Sequence, residues 1–330
     1  MRIGVIGVGR IGSMHAGMLV EEPAVDEVIL ADIDRPRAQE VAADLALQAT
    51  SIDEIFDRVD AVVIAAATSA HAELIGKAAN ARLPAFCEKP IAVDIASTHE
   101  VIRDVARAGT VLQVGFQRRF DAGYRAAHDL VAHGELGTLY AFRLAGHDPA
   151  PPPEDYIAVS GGIFRDFSIH DFDALRFVTG QEVTEVYADG SVVAFPVFAT
   201  QGDVDTAVAT LRLESGALGI LSVTRHDPLG YDVRMELFGS GDSVSVGWDA
   251  RTPLRSVEPG MPPAPAEAYA RFQERFADAY SDEMTAFVEV AEGRRENPCT
   301  PEDALEALRV AVACDLSRAE HRPVQLAEVA

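Results

Sequence analysis

The stretch RIGVIGVGRIGSMHAGML, residues 2–19, constrains this chain more than any other. A β-branched run ending at Ile6 leads into Gly7, Gly9 and Gly12, and helical periodicity follows. Strand, G-x-G-x-x-G and helix in that order open a dinucleotide-binding βαβ unit. Gly7 permits the tight turn, Gly9 lets a pyrophosphate approach the backbone, and Gly12 lets the helix pack on its strand. The helix then offers phosphates its first N–H groups and the positive end of its dipole. Arg10 and Ile11, inside the motif, join the glycines as cofactor-contacting positions. A second strand, EVILAD, ends at Asp32, 20 residues after Gly12. An acidic side chain there accepts from a ribose diol and repels a 2′-phosphate, which favours NAD over NADP. Arg35 and Arg37 lie just beyond and soften that preference.

The alternation continues. Strands are expected over 59–67, 84–88 and 110–116, with helices over 71–81 and 94–108. Strand and helix in turn with short connections make a doubly wound parallel sheet. Ligands of such a sheet sit at the carboxyl ends of its strands. That places Ala66, Ala67, Thr68, Glu88, Lys89 and Gln117 at the cofactor. His71, just after the third strand, either joins them or packs and caps at the top of the domain. Pro90 holds Lys89 extended, which points the lysine out of the sheet top. There it can hydrogen-bond a reacting oxygen, or it is an ordinary loop lysine.

Beyond this half the texture changes. Apolar runs are separated by turn signals such as Glu214-Ser215-Gly216 and Gly239-Ser240-Gly241, the pattern of a mostly antiparallel sheet. Helices follow near 267–292 and 301–319, the last with Thr300 as N-cap and Pro301 in its first turn. The fold class is an α/β Rossmann domain over 1–118 joined to an α+β domain over 119–330. The second domain carries a large, mostly antiparallel open sheet, and its last helix is free to pack back on the first domain. One uncovered sheet face suggests a homodimer or homotetramer.

The segment GGIFRDFSIHDFD, residues 161–173, poses a separate question. In an α-helix residues i and i+4 share a face, so Asp166 and His170 become neighbours. Buried carboxylates and imidazoles are costly unless paired or in use. The segment is either a satisfied polar pair in a core or an acid–base pair lining a site. Asp173 reads as a polar-face residue, His226 as turn chemistry and Trp248 as packing or interface.

Composition narrows the partners. Lys and Arg number 28 against 52 Asp and Glu, a net charge of −24. Such a field repels phosphate backbones and anionic membranes, so neither nucleic acid nor membrane is expected. No apolar run approaches the roughly 20 residues of a membrane helix. The chain opens directly on a strand without signal-peptide features. Cys87, Cys299 and Cys314 are too few and too scattered for a disulfide framework or a metal motif, so a cytoplasmic protein is expected and no metal is assigned.

Three motifs in order, GVGRIG at 7–12, EKP at 88–90 and GGIFRDFSIHDFD, resemble the Gfo/Idh/MocA family, named from glucose–fructose oxidoreductase and inositol dehydrogenase. The resemblance covers the whole chain, and GFQRRFDAGY (115–124) and GYDVRMELFGS (230–240) look like inositol dehydrogenase segments. By position it implies that Lys89 contacts the reacting hydroxyl, that Asp166 is its partner carboxylate and that His170 takes the hydroxyl proton. It implies that Gln117 and Arg118 line the substrate and nicotinamide region. It places His147 and Asp148 in a His-containing substrate loop and Tyr231 close to the substrate.

The implied activity is NAD-dependent oxidation of a secondary hydroxyl of inositol or a related cyclic polyol or sugar. The chain departs from the family at Ala66-Ala67, where Thr-Pro is common, at Gln117, and in the proline-rich HDPAPPP loop. The substrate therefore stays open. Alternatives are a dehydrogenase of another sugar or sugar derivative, a redox-neutral NAD enzyme acting on glycosides, and a non-redox NAD-binding regulator. A phosphosugar would call on Arg118, Arg119 and Arg165 as a cationic pocket.

Overall fold

The computed structural model describes residues 1–261 and 263–329. Pro262, in the Pro-rich stretch 259–266, where a loop or linker is expected, lies outside the described residues. The chain forms two compact units, Met1–Phe120 with Asp278–Glu306, and Asp121–Ala277 with Ala307–Ala330.

The first unit is built on β1 (Arg2–Ile6), β2 (Glu27–Ala31), β3 (Gln48–Ala49), β4 (Ala61–Ile64), β5 (Ala85–Glu88) and β6 (Leu112–Gly115). They pair in the order β3-β2-β1-β4-β5-β6, all parallel. Every residue of β4, β5 and β6 is buried. This is why these strands read as continuous apolar runs rather than alternating ones. The chain leaves β1 in one direction along the sheet and returns on its other side at β4. A ligand crevice opens at that switch point, above the carboxyl ends.

The connecting helices have legible ends. Asp94 accepts from Ser97 N–H (2.7 Å) to start the helix Ile95–Ala108. Gly109, at φ +67°, stops it in the left-handed conformation a Gly adopts without strain.

Residues 278–306 correct the division drawn at 118/119. Met284, Phe287 and Val288 of the helix Ala277–Ala291 are buried with Ile3, Val5, Leu30 and Phe86. Val114 N–H donates to the Cys299 carbonyl (3.0 Å), and Asn297 Nδ2 donates to the Leu112 carbonyl (2.7 Å). Helical periodicity announces this helix but not which sheet its apolar face meets.

The second unit contains β7 (Leu139–His147), β8 (Val183–Ser191), β9 (Thr206–Leu213), β10 (Leu218–Thr224), β11 (Asp232–Gly239), β12 (Ser243–Val246) and β13 (Val324–Gln325). Their order is β12-β11-β7-β10-β9-β8-β13. The β7–β10 pair is parallel and the remaining pairs are antiparallel. The strand β7 was not foreseen: His147, expected in a loop, is its last residue and pairs with Thr224 and Asp232.

The sheet's alternation is clear in β9, where buried and outward residues take turns. Its outward face exposes Tyr140, Val208, Leu218 and Ile220. The helix Pro301–Glu320 opens with a reciprocal cap, Asp303 N–H to Thr300 Oγ1 (3.2 Å) and Thr300 N–H to Asp303 Oδ2 (2.9 Å). Among the described residues no helix is long and apolar enough to cross a membrane.

Candidate functional site

At the first unit's carboxyl ends the backbone shapes the site. Gly7 sits at φ +92°, and a Cβ there would meet Ala66 N at 2.5 Å. A Cβ on Gly12 would meet the Gly7 carbonyl oxygen at 1.8 Å. Both glycines are therefore enforced by the fold itself. Gly9 differs: a Cβ there would meet nothing within 4 Å. Gly9 is also the N-cap of the helix Arg10–Val20, which no side chain caps. Open space before uncapped N–H groups is what a pyrophosphate requires. Arg10 is exposed and Ile11 half-buried beside it.

Asp32 closes the loop from the side. Its Oδ2 accepts from Val8 N–H (2.7 Å) and its Oδ1 from Asp34 N–H (2.9 Å). Each oxygen keeps a second lone pair for a ribose hydroxyl. Arg37 is drawn in as well, its Nε donating to the Val8 carbonyl (3.1 Å). Gln117, in the turn Gln117–Phe120, is buried, and its Oε1 has no hydrogen-bond partner. A buried acceptor left open suits an amide donor arriving with a cofactor. These residues fit NAD.

The neighbouring positions separate into two kinds. Ala66 and Ala67 lie between β4 and the helix Thr68–Asn80, which Thr68 opens with Ala67 as its N-cap. His71 is buried, and its ring spans two carbonyls, Nδ1 to Pro90 (2.7 Å) and Nε2 to Ala66 (3.0 Å). It ties the loop after β4 to the loop after β5. Burial pulls the His71 pKa down, against the opposing pull of the two carbonyls.

Glu88 turns its carboxylate inward, to His15 Nε2 at 2.7 Å. Glu283 lies buried with this pair, the three groups within 4.8 Å of one another. Lys89 follows β5, half-buried, with a cis peptide bond to Pro90. Arg118 is buried, 1% exposed. Arg119 is committed to the Pro298 carbonyl (3.0 Å) and to Asp303 (3.2 Å).

In the second unit the site is made of side chains. Gly161 and Gly162 have φ of +87° and +92°, a conformation that excludes ordinary residues. Asp203 Oδ1 accepts from Ile163 N–H (3.1 Å) just beyond them. The chain then forms a π-helical turn, Phe164–Ser168, before the α-helix Ile169–Thr179. The helical stretch expected to carry Asp166 and His170 thus begins as a π turn, whose i→i+5 closure is wider than that of an α-helix. Such π turns gather at functional sites.

Asp166 Oδ1 accepts from Tyr156 Oη (2.8 Å) and Oδ2 from Arg225 Nη2 (3.0 Å). His170 is half-buried one turn on. Asp173, read as a polar-face residue, is fully buried, 0% exposed. Arg165 is committed to Asp315 (2.6 Å).

Arg225 also reaches Asp148, Nη1 to Oδ2 at 3.4 Å. Its guanidinium lies 5.6 Å from the Phe167 ring centroid. Burial pulls the Arg225 pKa down, but Asp166, Asp148 and Asp203 outweigh it and raise it. Beside it, Thr224 Oγ1 donates to the His226 carbonyl (3.1 Å) and contacts His147 Nδ1 (2.8 Å). The threonine proton is spent, so His147 donates from Nδ1 and keeps Nε2 as an acceptor. Burial lowers the His147 pKa, against the raising effect of Asp232 and Asp227, which favours the neutral ring. Tyr231 is buried, edge-on to Phe272 and Phe276. His226 sits edge-on to Phe195, while Trp248 is exposed under Arg234.

The sequence reading brought Asp148 and Asp166 forward without the arginine that joins them. It also missed Tyr156, Asp203 and Asp205. Asp205 accepts N–H groups from Val193 (2.9 Å), Ala194 (2.8 Å) and Phe195 (2.7 Å) and the Thr206 hydroxyl (2.9 Å). Its own carbonyl accepts from Arg225 N–H (2.8 Å). No local pattern marks these residues, since each acts across a gap in sequence.

Residues 1–116 match the oxidoreductase family with an NAD-binding Rossmann fold, and residues 124–245 match the GFO/IDH/MocA C-terminal domain. The chain is similar to the myo-inositol 2-dehydrogenase of Thermotoga maritima, 38% identical over 336 residues, covering 100% of this chain and 99% of that one. The crystal structure of a myo-inositol dehydrogenase from Corynebacterium glutamicum superposes with a TM-score of 0.89 at 36% identity, covering 99% and 98% of the two chains. That of scyllo-inositol dehydrogenase from Lactobacillus casei, with bound NAD(H) and scyllo-inositol, gives 0.88 at 28% identity, covering 99% of each chain. The chain belongs to the Gfo/Idh/MocA family of oxidoreductases, and its first unit is that family's NAD-binding domain.

Proposed function

We propose that the protein is an NAD-dependent dehydrogenase that oxidises a secondary hydroxyl of inositol, or of a related cyclic polyol or sugar, to the ketone. NAD, when bound, accepts the hydride from the carbinol carbon. His170, neutral, takes the hydroxyl proton as general base. Lys89 donates to the same oxygen as negative charge develops on it. Asp166 serves as the partner carboxylate of these two groups. Arg118, His147, Asp148 and Tyr231 hold the remaining hydroxyls, with His147 Nε2 as an acceptor.

The observation that carries this reading is the full-length likeness to myo-inositol 2-dehydrogenase in a chain that has Lys89 in EKP and Asp166 and His170 in GGIFRDFSIHDFD. A phosphorylated sugar is less well supported, because Arg119 and Arg165 are already paired with Asp303 and Asp315.

The outward sheet face supports a homo-oligomer. It carries a shallow hollow of about 630 Å³ bordered by Tyr187, Leu218, Ile220 and Phe238. Exposed Leu218 and Ile220 would each gain by burial against a second copy. An Ile220→Glu variant that stays an oligomer in sedimentation would remove this part of the reading. Three buried thiols, Cys87, Cys299 and Cys314, support a cytoplasmic setting.

The test is NADH formation by purified protein across myo-inositol, scyllo-inositol and free aldoses, with NADP in parallel. Turnover of a cyclic polyol with NAD, lost in His170→Ala while NAD still binds, is the expected result. NAD binding without turnover of any compound would turn the reading toward a redox-neutral or regulatory protein.

A further inference from the structure

We propose that Arg225 is a positioning residue of the reaction: it fixes the orientation of Asp166, and with it the side-chain frame of the second unit's site. The inference rests on the reading of Asp166 given above and deepens it.

The geometry is specific. The arginine follows the last residue of β10, and its side chain is 3% exposed. Its two terminal nitrogens part company. One donates to Asp166 at 3.0 Å and the other reaches Asp148 at 3.4 Å. A guanidinium that only needed neutralising would meet one carboxylate with both nitrogens, the strong bidentate form. Here the planar fork spans two carboxylates from separate elements, the π turn and the loop after β7.

Arg225 is itself held. Its backbone N–H donates to the Asp205 carbonyl (2.8 Å), and its guanidinium carbon lies over the Phe167 ring, 5.6 Å from the centroid. Asp205 is anchored in turn by three backbone N–H groups. Rigidity thus passes from the 193–195 turn through Asp205 to Arg225 and on to Asp166. Asp166 Oδ1 is steadied by the Tyr156 hydroxyl.

A purely structural role explains this less well. Buried ion pairs return little net stability, and a cation bridging two residues matched to catalysis and substrate binding does more by fixing their geometry. A small displacement of a reacting group costs about 10²-fold in rate. Lysine keeps the charge but lacks the fork.

The experiment compares kcat, KM for myo-inositol and scyllo-inositol, NAD affinity and thermal stability. The proteins are wild type, Arg225→Lys, Tyr156→Phe, Asp166→Asn and the two double variants on Asp166→Asn. Arg225→Lys is expected to lose roughly 10–10²-fold in kcat with NAD affinity unchanged. Tyr156→Phe is expected to lose about 3–10-fold. On the Asp166→Asn background each is expected to add less than about 2-fold, because the residue acts through Asp166.

Equal losses on both backgrounds, or wild-type kcat in a folded Arg225→Lys, overturn the proposal alone. Should Arg225→Lys not fold, Tyr156→Phe decides by the same criterion, since Tyr156 is 45% exposed and tolerates change. Full activity in Asp166→Asn, or no turnover of either inositol by wild type, overturns the underlying reading and this proposal with it.

Discussion

The two units build their sites from different materials. In the first, the carboxyl ends of a parallel sheet present backbone: a loop forced by Gly7 and Gly12, open space at Gly9, and a carboxylate at Asp32 that itself holds Val8 N–H. In the second, a π turn and the ends of β7 and β10 present side chains that hold one another, Tyr156 to Asp166 to Arg225 to Asp148. The difference teaches where specificity resides. A backbone loop recognises what cofactors share, phosphates and a ribose. A clamped set of carboxylates, histidine and arginine can be re-spaced, and so suits a substrate that varies.

Several substitutions would break or sharpen that contrast. The largest effect is expected at His170. His170→Ala should lower kcat by about 10²–10⁴ and leave NAD affinity intact, measured by steady-state kinetics and calorimetry. Parallel loss of NAD binding would mean the two sites are not separable.

Next come the glycines. Gly12→Ala sets a Cβ 1.8 Å from a backbone oxygen. It should cost about 1–3 kcal/mol in a thermal melt and abolish NAD binding. Gly9→Ala has room for its methyl and an ordinary φ of −66°. It should melt like wild type yet bind NAD about tenfold or more weakly, a 1.4 kcal/mol effect. Unchanged NAD affinity in Gly9→Ala would deny that the open space is the phosphate site.

Asp205 tests the side-chain frame from behind. Burial pushes its carboxyl pKa up, but the N–H groups of Val193, Phe195 and Ala194 and the Thr206 hydroxyl prevail and lower it. The carboxylate therefore contributes stability that is full above the unfolded value, about 3.9, and is lost as pH falls through the lower folded value. Asp205→Asn should cost about 1–3 kcal/mol in urea at pH 7 and progressively less in acid. A gap that stays constant down to pH 3 would rule out the linkage.

The smallest effect is expected at Thr224. Thr224→Val frees the His147 tautomer and should raise the KM of the polyol about 3–10-fold, with kcat nearly unchanged.

The legible parts share a cause. The parallel sheet, the glycine loop, Asp32 and the Thr300 cap arise from spacings of a few residues or from one βαβ unit, so their constraints are written locally. Asp166 and His170 were visible as residue types near two glycines. Their setting was not, because a π turn leaves no periodicity of its own. Strand β7 was missed because LYAFRLAGH mixes both faces of a half-covered sheet, with Tyr140 exposed and Phe142 buried. The helix Ala277–Ala291 was expected in the second domain, since amphipathicity names a buried face but not its neighbour.

By itself the sequence determined the parallel sheet of the first unit, NAD as its cofactor and the residue types proposed for the second site. Backbone conformation and alternation are short-range properties, which one stretch of chain can enforce alone. Only the tertiary structure decided that Arg225 joins Asp166 to Asp148, that Thr224 sets the His147 tautomer, that Glu88 turns inward to His15, and that residues 278–306 return to the first unit. Each of these depends on segments distant in sequence, which come within hydrogen-bond reach only as each unit folds.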